Sequence, residues 1–287
     1  MNVIKKGLQF LLYSNILIGL CAVALALTNR LTVEGVLLAN RSYGFVFFST
    51  VFTYSLLKFR HTTPTATHTT HFQWAQQYPQ LAKNIQLISL IAAAAFFFML
   101  DKNSMIIVVI MAALTALYAL VDIPWLQPTR RLRDYGLLKT PLVALVWSVT
   151  TVVIPLADLP VDTSLMVFLL LRRFLFILSL TIVFEIKDLL HDREHNLQTL
   201  PMRLGVTNTK LLAQGLLLAL MGLNTVQYLF FDLSLANLLA INLSLLVSVL
   251  CIQVVKEETA DYWYYAVLDS LMILQFIFVY LAVTLFP

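Results

Sequence analysis

Acidic residues are missing from a long stretch of this sequence: from Gly35 to Leu100 there is not a single Asp or Glu. Charge of either sign is scarce, at 12% of residues. Ordinary soluble domains carry about twice that fraction, so a water-soluble globular protein is excluded. The two cysteines, Cys21 and Cys251, both sit inside apolar segments. There a thiol behaves as a small hydrophobe, and neither a disulfide framework nor a cysteine metal site is indicated. The net charge of +4 and pI near 9.0 come with no extended basic patch, which argues against a nucleic-acid partner. What the chain does have is apolar length: 60% hydrophobic residues and a mean hydropathy of +0.85 describe a polytopic membrane protein.

Stretches near the length of a bilayer crossing fall at 8–27, 42–58, 85–100, 104–121, 138–156, 166–187, 210–230, 234–254 and 263–285, nine in all. The first follows Lys5 and Lys6 and ends in Ala22, Ala24 and Ala26, like a signal peptide. It is long for such a peptide and more spans follow, so it reads as an uncleaved first helix. With the N-terminus in the cytoplasm, fourteen Lys and Arg lie on the inner side, Lys58, Arg60, Lys139, Lys187 and Arg193 among them. Only Arg30, Arg41 and Lys102 lie outside. That bias fixes the expected orientation, cytoplasmic N-terminus and extracytoplasmic C-terminus, of a multi-pass integral membrane protein.

The chemistry concentrates between Phe184 and Gly205, FEIKDLLHDREHNLQTLPMRLG, where the sixth span emerges into water. On a continuous helix Glu185, Asp188 and Asp192 stand at i, i+3 and i+7 and share one face. Three stacked carboxylates repel unless screened, and Mg²⁺ screens such a cluster while leaving sites for phosphate oxygens. Lys187 and Arg193 stand beside them. A solvated helix end with mixed charge is the plainer reading of the same spacing.

Asp188-x-x-x-Asp192-Arg193, followed by Thr199-Leu200-Pro201 and Leu204-Gly205, resembles the second aspartate-rich motif of the UbiA superfamily of intramembrane prenyltransferases. The resemblance implies an all-α, nine-helix transmembrane bundle spanning residues 1–287 as one domain. It also implies transfer of a prenyl group from a polyprenyl diphosphate to an aromatic or other lipid acceptor among the membrane lipids. Asp188 and Asp192 would then be the catalytic Mg²⁺ ligands, supported by Glu185. Asn196 departs from the pattern, as Gly or a third acid is usual there.

The family's other carboxylate cluster belongs at the inner end of the second span, where this chain reads Tyr54-Ser-Leu-Leu-Lys58-Phe-Arg60. Either Lys58 and Arg60 neutralise a diphosphate directly, or the site has lost its reaction and the protein is a non-catalytic isoprenoid- or lipid-binding relative. Asp122 also reverses the charge of the Lys usual in active members. Lys139, opening the fifth span, suits a phosphate contact or a topology-setting lysine equally. His61, His68 and His71 lie in a Thr-rich linker and read as solvated polar residues.

Three charges fall inside spans: Arg172, Arg173 and Asp269. Charge at membrane depth is costly unless paired or hydrated. Adjacent helical residues diverge by about 100°, so Arg172 and Arg173 are expected to make separate structural pairings and not to share a cavity. Trp147, Trp263 and the tyrosines at 262–265 are expected in an interfacial belt, and Phe96 to Phe98 are candidates to line a prenyl tunnel.

Overall fold

The computed structural model describes residues 3–59, 70–120, 136–194 and 198–286. Among them there is helix and no strand, as the hydropathy pattern requires of a chain whose backbone must satisfy itself in lipid. In order the helices are α1 (Val3–Tyr13), α2 (Ile16–Glu34), α3 (Arg41–Phe59), α4 (Thr70–Gln77), α5 (Pro79–Phe97), α6 (Lys102–Leu120) and α7 (Gly136–Ser148). A π-turn at Val149–Val153 leads from α7 into the short α8 (Ile154–Leu156). Then come α9 (Thr163–Lys187), α10 (Leu189–Glu194), α11 (Leu200–Phe230), α12 (Leu235–Val254) and, after a second π-turn at Trp263–Leu268, α13 (Ser270–Leu285).

Seven stretches among the described residues are long and apolar enough to cross a membrane: α2, α5, Leu137–Leu156, α9, α11, α12 and Trp263–Leu285. Helix α3 lies where the second span is expected, and α6 where the fourth is, its apolar part covering Lys102–Leu117. Length and composition thus support seven crossings, and the count of nine rests on the sequence pattern. The first span begins later than hydropathy suggests. Asn15, in the left-handed region at φ 66°, breaks the apolar run between α1 and α2 and donates from its side chain to Ser55 Oγ at 3.0 Å. His61, His68, Arg60, Asp122 and Asn196 lie outside the described residues, whereas His71 falls in α4 and not in a loop.

Local chemistry sets the remaining boundaries. Asp162 caps α9 by accepting the Ser164 and Leu165 N–H groups. The Ser164 donors hold its carboxyl below the usual range. Helix α11 is two helices in one: Gly205, at φ 76° and ψ 164°, is a conformation that a side chain would strain. Pro155 has no N–H, which orphans the Thr151 carbonyl one turn earlier. Asn29 on α2 donates to that carbonyl at 2.9 Å, and Arg30 donates to the Pro155 carbonyl at 3.0 Å. The same guanidinium pairs with Glu34 and Asp158.

Neighbouring helices in the bundle run α7, α9, α11, α12, α13 and α2, and the Val149–Val153 turn closes this series by packing on α2. Helices α3 and α5 pack together beside α2. The core of the series includes Leu25, Phe176, Leu180, Leu217, Leu245 and Tyr264, all fully buried. Large apolar side chains such as Phe98, Phe230 and Leu250 point outward, as lipid-facing positions do. Phe96 stacks on Phe48 and packs where a Cβ on Gly44 would stand, so it joins α3 to α5 and lines none of the larger cavities.

Candidate functional site

Helix α9 stops at Lys187, and the backbone at Asp188 (φ −89°, ψ 2°) turns the chain into α10. That break divides the three carboxylates that a continuous helix would align. Glu185, 2% exposed, accepts the Thr140 hydroxyl at 2.5 Å on one oxygen and the Leu200 N–H at 3.3 Å on the other. Asp192, also buried, accepts the Thr199 hydroxyl at 3.0 Å. Both acids therefore converge on the first residues of α11, where orphan N–H groups make a carboxylate favourable. Asp188 takes different partners: Lys187 is bonded to it and the Lys139 ammonium stands 3.6 Å away.

Those groups form the polar mouth of a cavity of about 290 Å³ enclosed by α2, α3, α7, α9 and α13. Lys139, Thr140, Glu185, Lys187 and Asp188 lie at the mouth. Leu17, Ile18, Val143, Leu180, Phe184 and Met272 form apolar wall. Lys187 lies 5.6 Å from the centre of the Tyr265 ring, near enough for a cation–π contact. Trp147 donates to the Tyr54 hydroxyl at 3.2 Å, with the two rings edge to face. Tyr54, Leu57, Val143 and Trp147 also line a second cavity of about 130 Å³. Ser49, Thr53, Thr115 and Thr150 connect that one in turn to a third, of about 280 Å³, whose walls include Phe52, Met111 and Ile154. A largely apolar path thus leads from the cationic mouth along α3, α6 and α7.

Of the residues singled out by sequence, Glu185, Lys187, Asp188 and Lys139 meet at this cavity. Asp192 stands behind it, on Thr199. Arg193 is directed elsewhere, to an exposed ion pair with Glu257. Arg60 and the side chain of Lys58 lie outside the described residues. Thr140 joins the site without having been expected; Asp269, expected only as an intramembrane charge needing a polar surrounding, and Tyr265, expected in an interfacial belt, line the cavity, and Thr199 of the motif bonds Asp192 behind it. Tyr265 and Asp269, at i and i+4, offered a helical spacing that could have revealed them. Trp147 and Tyr264 do not sit in an interfacial belt: Tyr264 is fully buried and Trp147 lines the cavity.

The described residues contain no group of three or more His, Cys, Asp or Glu side chains that could hold a metal ion. The donor chemistry agrees. Two of the motif's carboxylates are bonded to Thr140, Leu200 and Thr199, and the third faces two ammonium groups.

A helical membrane bundle enclosing an apolar cavity with a charged mouth is the class of protein these features define. The chain has the UbiA-type fold. A UbiA homologue from Archaeoglobus fulgidus bound to GPP and Mg²⁺ superposes with a TM-score of 0.61 at 11% identity, over 96% of this chain and 99% of that one. The apo UbiA homologue from Aeropyrum pernix K1 gives 0.59 at 13% identity, over 93% and 97% of the two chains. A digeranylgeranylglyceryl phosphate synthase structure gives 0.54 at 15% identity, over 98% and 99%. No family model and no curated protein sequence matches the chain.

Proposed function

We propose that the protein is a divergent member of the UbiA superfamily that binds a polyprenyl diphosphate. The diphosphate would lie against Lys139 and Lys187, with the prenyl chain running into the apolar cavities along α3, α6 and α7. The observation that carries this reading is the meeting of two ammonium groups and an apolar, aromatic-walled cavity at one point of the bundle. Lys supplies a compact charge for phosphate oxygens. Asp188 holds both ammonium groups in place until a ligand competes for them. Lys58 and Arg60 would add further cations. Arg193, engaged by Glu257, takes no part.

The reaction such a site would run is prenyl transfer. The bond between the allylic carbon and the diphosphate oxygen breaks, and the diphosphate leaves with the electron pair. An electron pair of the lipid or aromatic acceptor then closes on the allylic cation, and the acceptor gives up a proton. Apolar walls keep water from the cation, and the lysines stabilise the departing charge. The Archaeoglobus fulgidus neighbour carries Mg²⁺ beside its GPP. Glu185, Asp188 and Asp192 as arranged here do not fit that ion, because the stop at Asp188 sends them to separate partners, Thr140 and Leu200, the two lysines, and Thr199, and they do not converge on one point. No step is therefore routed through a metal.

The same commitment favours a second reading, a non-catalytic isoprenoid-diphosphate-binding protein. Cations bind a diphosphate without supplying the full Lewis-acid assistance to its departure. A product assay separates the two: protein reconstituted in liposomes is offered labelled prenyl diphosphates of several lengths together with membrane lipid and aromatic acceptors. A prenylated product supports transfer. Binding without any product supports the non-catalytic reading, and neither binding nor product refutes both.

A further inference from the structure

The cavity at the charged mouth and the second cavity share four lining residues, Tyr54, Leu57, Val143 and Trp147. A ligand that extends from one into the other runs between those side chains. Two of the four are joined: the Trp147 indole N–H donates to the Tyr54 hydroxyl at 3.2 Å, and the rings stand edge to face at 84° with centroids 6.2 Å apart. That is a favourable aromatic geometry in its own right, and the hydrogen bond adds to it. Tyr54 belongs to α3 and Trp147 to α7, so the bonded rings form a waist tied across two helices.

Beyond the waist the surroundings change. Lys139, Glu185, Lys187, Asp188 and Asp269 line the first cavity, whereas no charged residue among the described ones lines the second or the third. Hydroxyl groups are common there but are spent on their own helices. Thr50 donates to the Val46 carbonyl, Thr115 to the Met111 carbonyl and Thr150 to the Val146 carbonyl, each at 2.7 Å. What the two cavities offer a ligand is therefore mainly hydrocarbon wall.

Size separates the ligands that stay on one side of the waist from those that cross it. At about 290 Å³ the first cavity is near the lower end of the range, about 300–1,000 Å³, of sites that enclose a small organic ligand. It has room for a short prenyl chain, and a long one must run on into the cavities of about 130 and 280 Å³. Each added isoprene unit would ordinarily tighten binding by burying more apolar area. Here the gain is opposed, because a tail that crosses the waist parts the rings. The indole N–H then loses its acceptor in a dry bundle, where an unmet donor is costly. From the shared walls, the bonded rings across them and the apolar space behind, we infer that Tyr54 and Trp147 set the prenyl chain length this site prefers, favouring short diphosphates over long ones. The inference rests on the binding of a prenyl diphosphate proposed above.

The test is equilibrium binding of geranyl and geranylgeranyl diphosphate, two and four isoprene units long, to the full chain in nanodiscs, read as the ratio of the two affinities. The unmodified protein should bind the shorter ligand more tightly. Trp147→Ala opens the waist and should move the ratio toward the longer ligand by about tenfold or more. Tyr54→Phe keeps the ring and removes the acceptor, so it should move the ratio the same way by a smaller factor, about threefold. Tyr54→Phe decides alone should Trp147→Ala not fold. A general loss of structure weakens both ligands together and does not move the ratio. Both ligands binding with a ratio that neither variant changes overturns this inference and leaves the binding proposal standing. Tighter binding of the longer ligand by the unmodified protein overturns it equally. Binding of neither ligand refutes the binding proposal, and this inference with it.

Discussion

Thr199 donates its hydroxyl to the Asp192 carboxylate at 3.0 Å, in the same turn of chain where the Leu200 N–H donates to Glu185. Two acids of a motif that reads as a metal cluster thus hold the start of α11. A carboxylate at that position accepts donors that the helix leaves unmet and faces the positive end of its dipole. The consequence for mutation differs from that of a metal ligand. Asp192→Ala should lower unfolding stability by about 1–3 kcal/mol, the cost of a buried hydroxyl left without its partner. Asp192→Asn, which keeps an acceptor for Thr199, should cost clearly less. Calorimetry in detergent reads both, and equal losses would contradict the latch.

Asn29, the Thr151 carbonyl and Pro155 make a second compensated defect. Asn29→Leu should destabilise by about 1–3 kcal/mol because it leaves a carbonyl unpaired in a dry bundle. Adding Pro155→Ala restores an N–H to the Thr151 carbonyl one turn back, so the double variant should regain part of the loss. A double-mutant cycle measures this coupling, and strictly additive losses would show that the carbonyl has another partner.

Topology is tested by reporters. Fourteen Lys and Arg on one side against three on the other predict a cytoplasmic N-terminus and, with nine crossings, an extracytoplasmic C-terminus. A fusion after Pro287 should be active as a periplasmic or extracellular reporter. Cytoplasmic activity there would mean an even number of crossings, with α3 or α6 outside the membrane.

Hydropathy located seven helices of membrane length, because long apolar runs have few alternatives in lipid. Their ends were harder to see. The first helix begins after Asn15 because one left-handed residue redirects the chain, and hydropathy does not register a backbone angle. That Glu185, Lys187 and Asp188 gather at one cavity mouth was legible in charges that break a sequence of apolar residues. Its wiring was not. A continuous helix would line up Asp188 and Asp192, and the stop at Asp188 sends them to different partners. Tyr265 and Asp269 are carried by a segment distant in sequence, and Arg172 and Arg173 line one small cavity although their Cβ directions diverge. Tertiary contacts of this kind leave no periodic signature.

If lysines at the cavity mouth, and not a carboxylate-held metal, bind a prenyl diphosphate, the affinity should not depend on Mg²⁺. Equilibrium binding of labelled geranyl diphosphate to the reconstituted protein, with excess EDTA or with Mg²⁺, tests it directly. The affinity should change less than about threefold between the two conditions. It should fall at least tenfold, about 1.4 kcal/mol, in Lys139→Ala combined with Lys187→Ala, and not at all in Arg193→Ala. Binding abolished by EDTA, restored by Mg²⁺ and indifferent to the two lysines would contradict binding through the lysines.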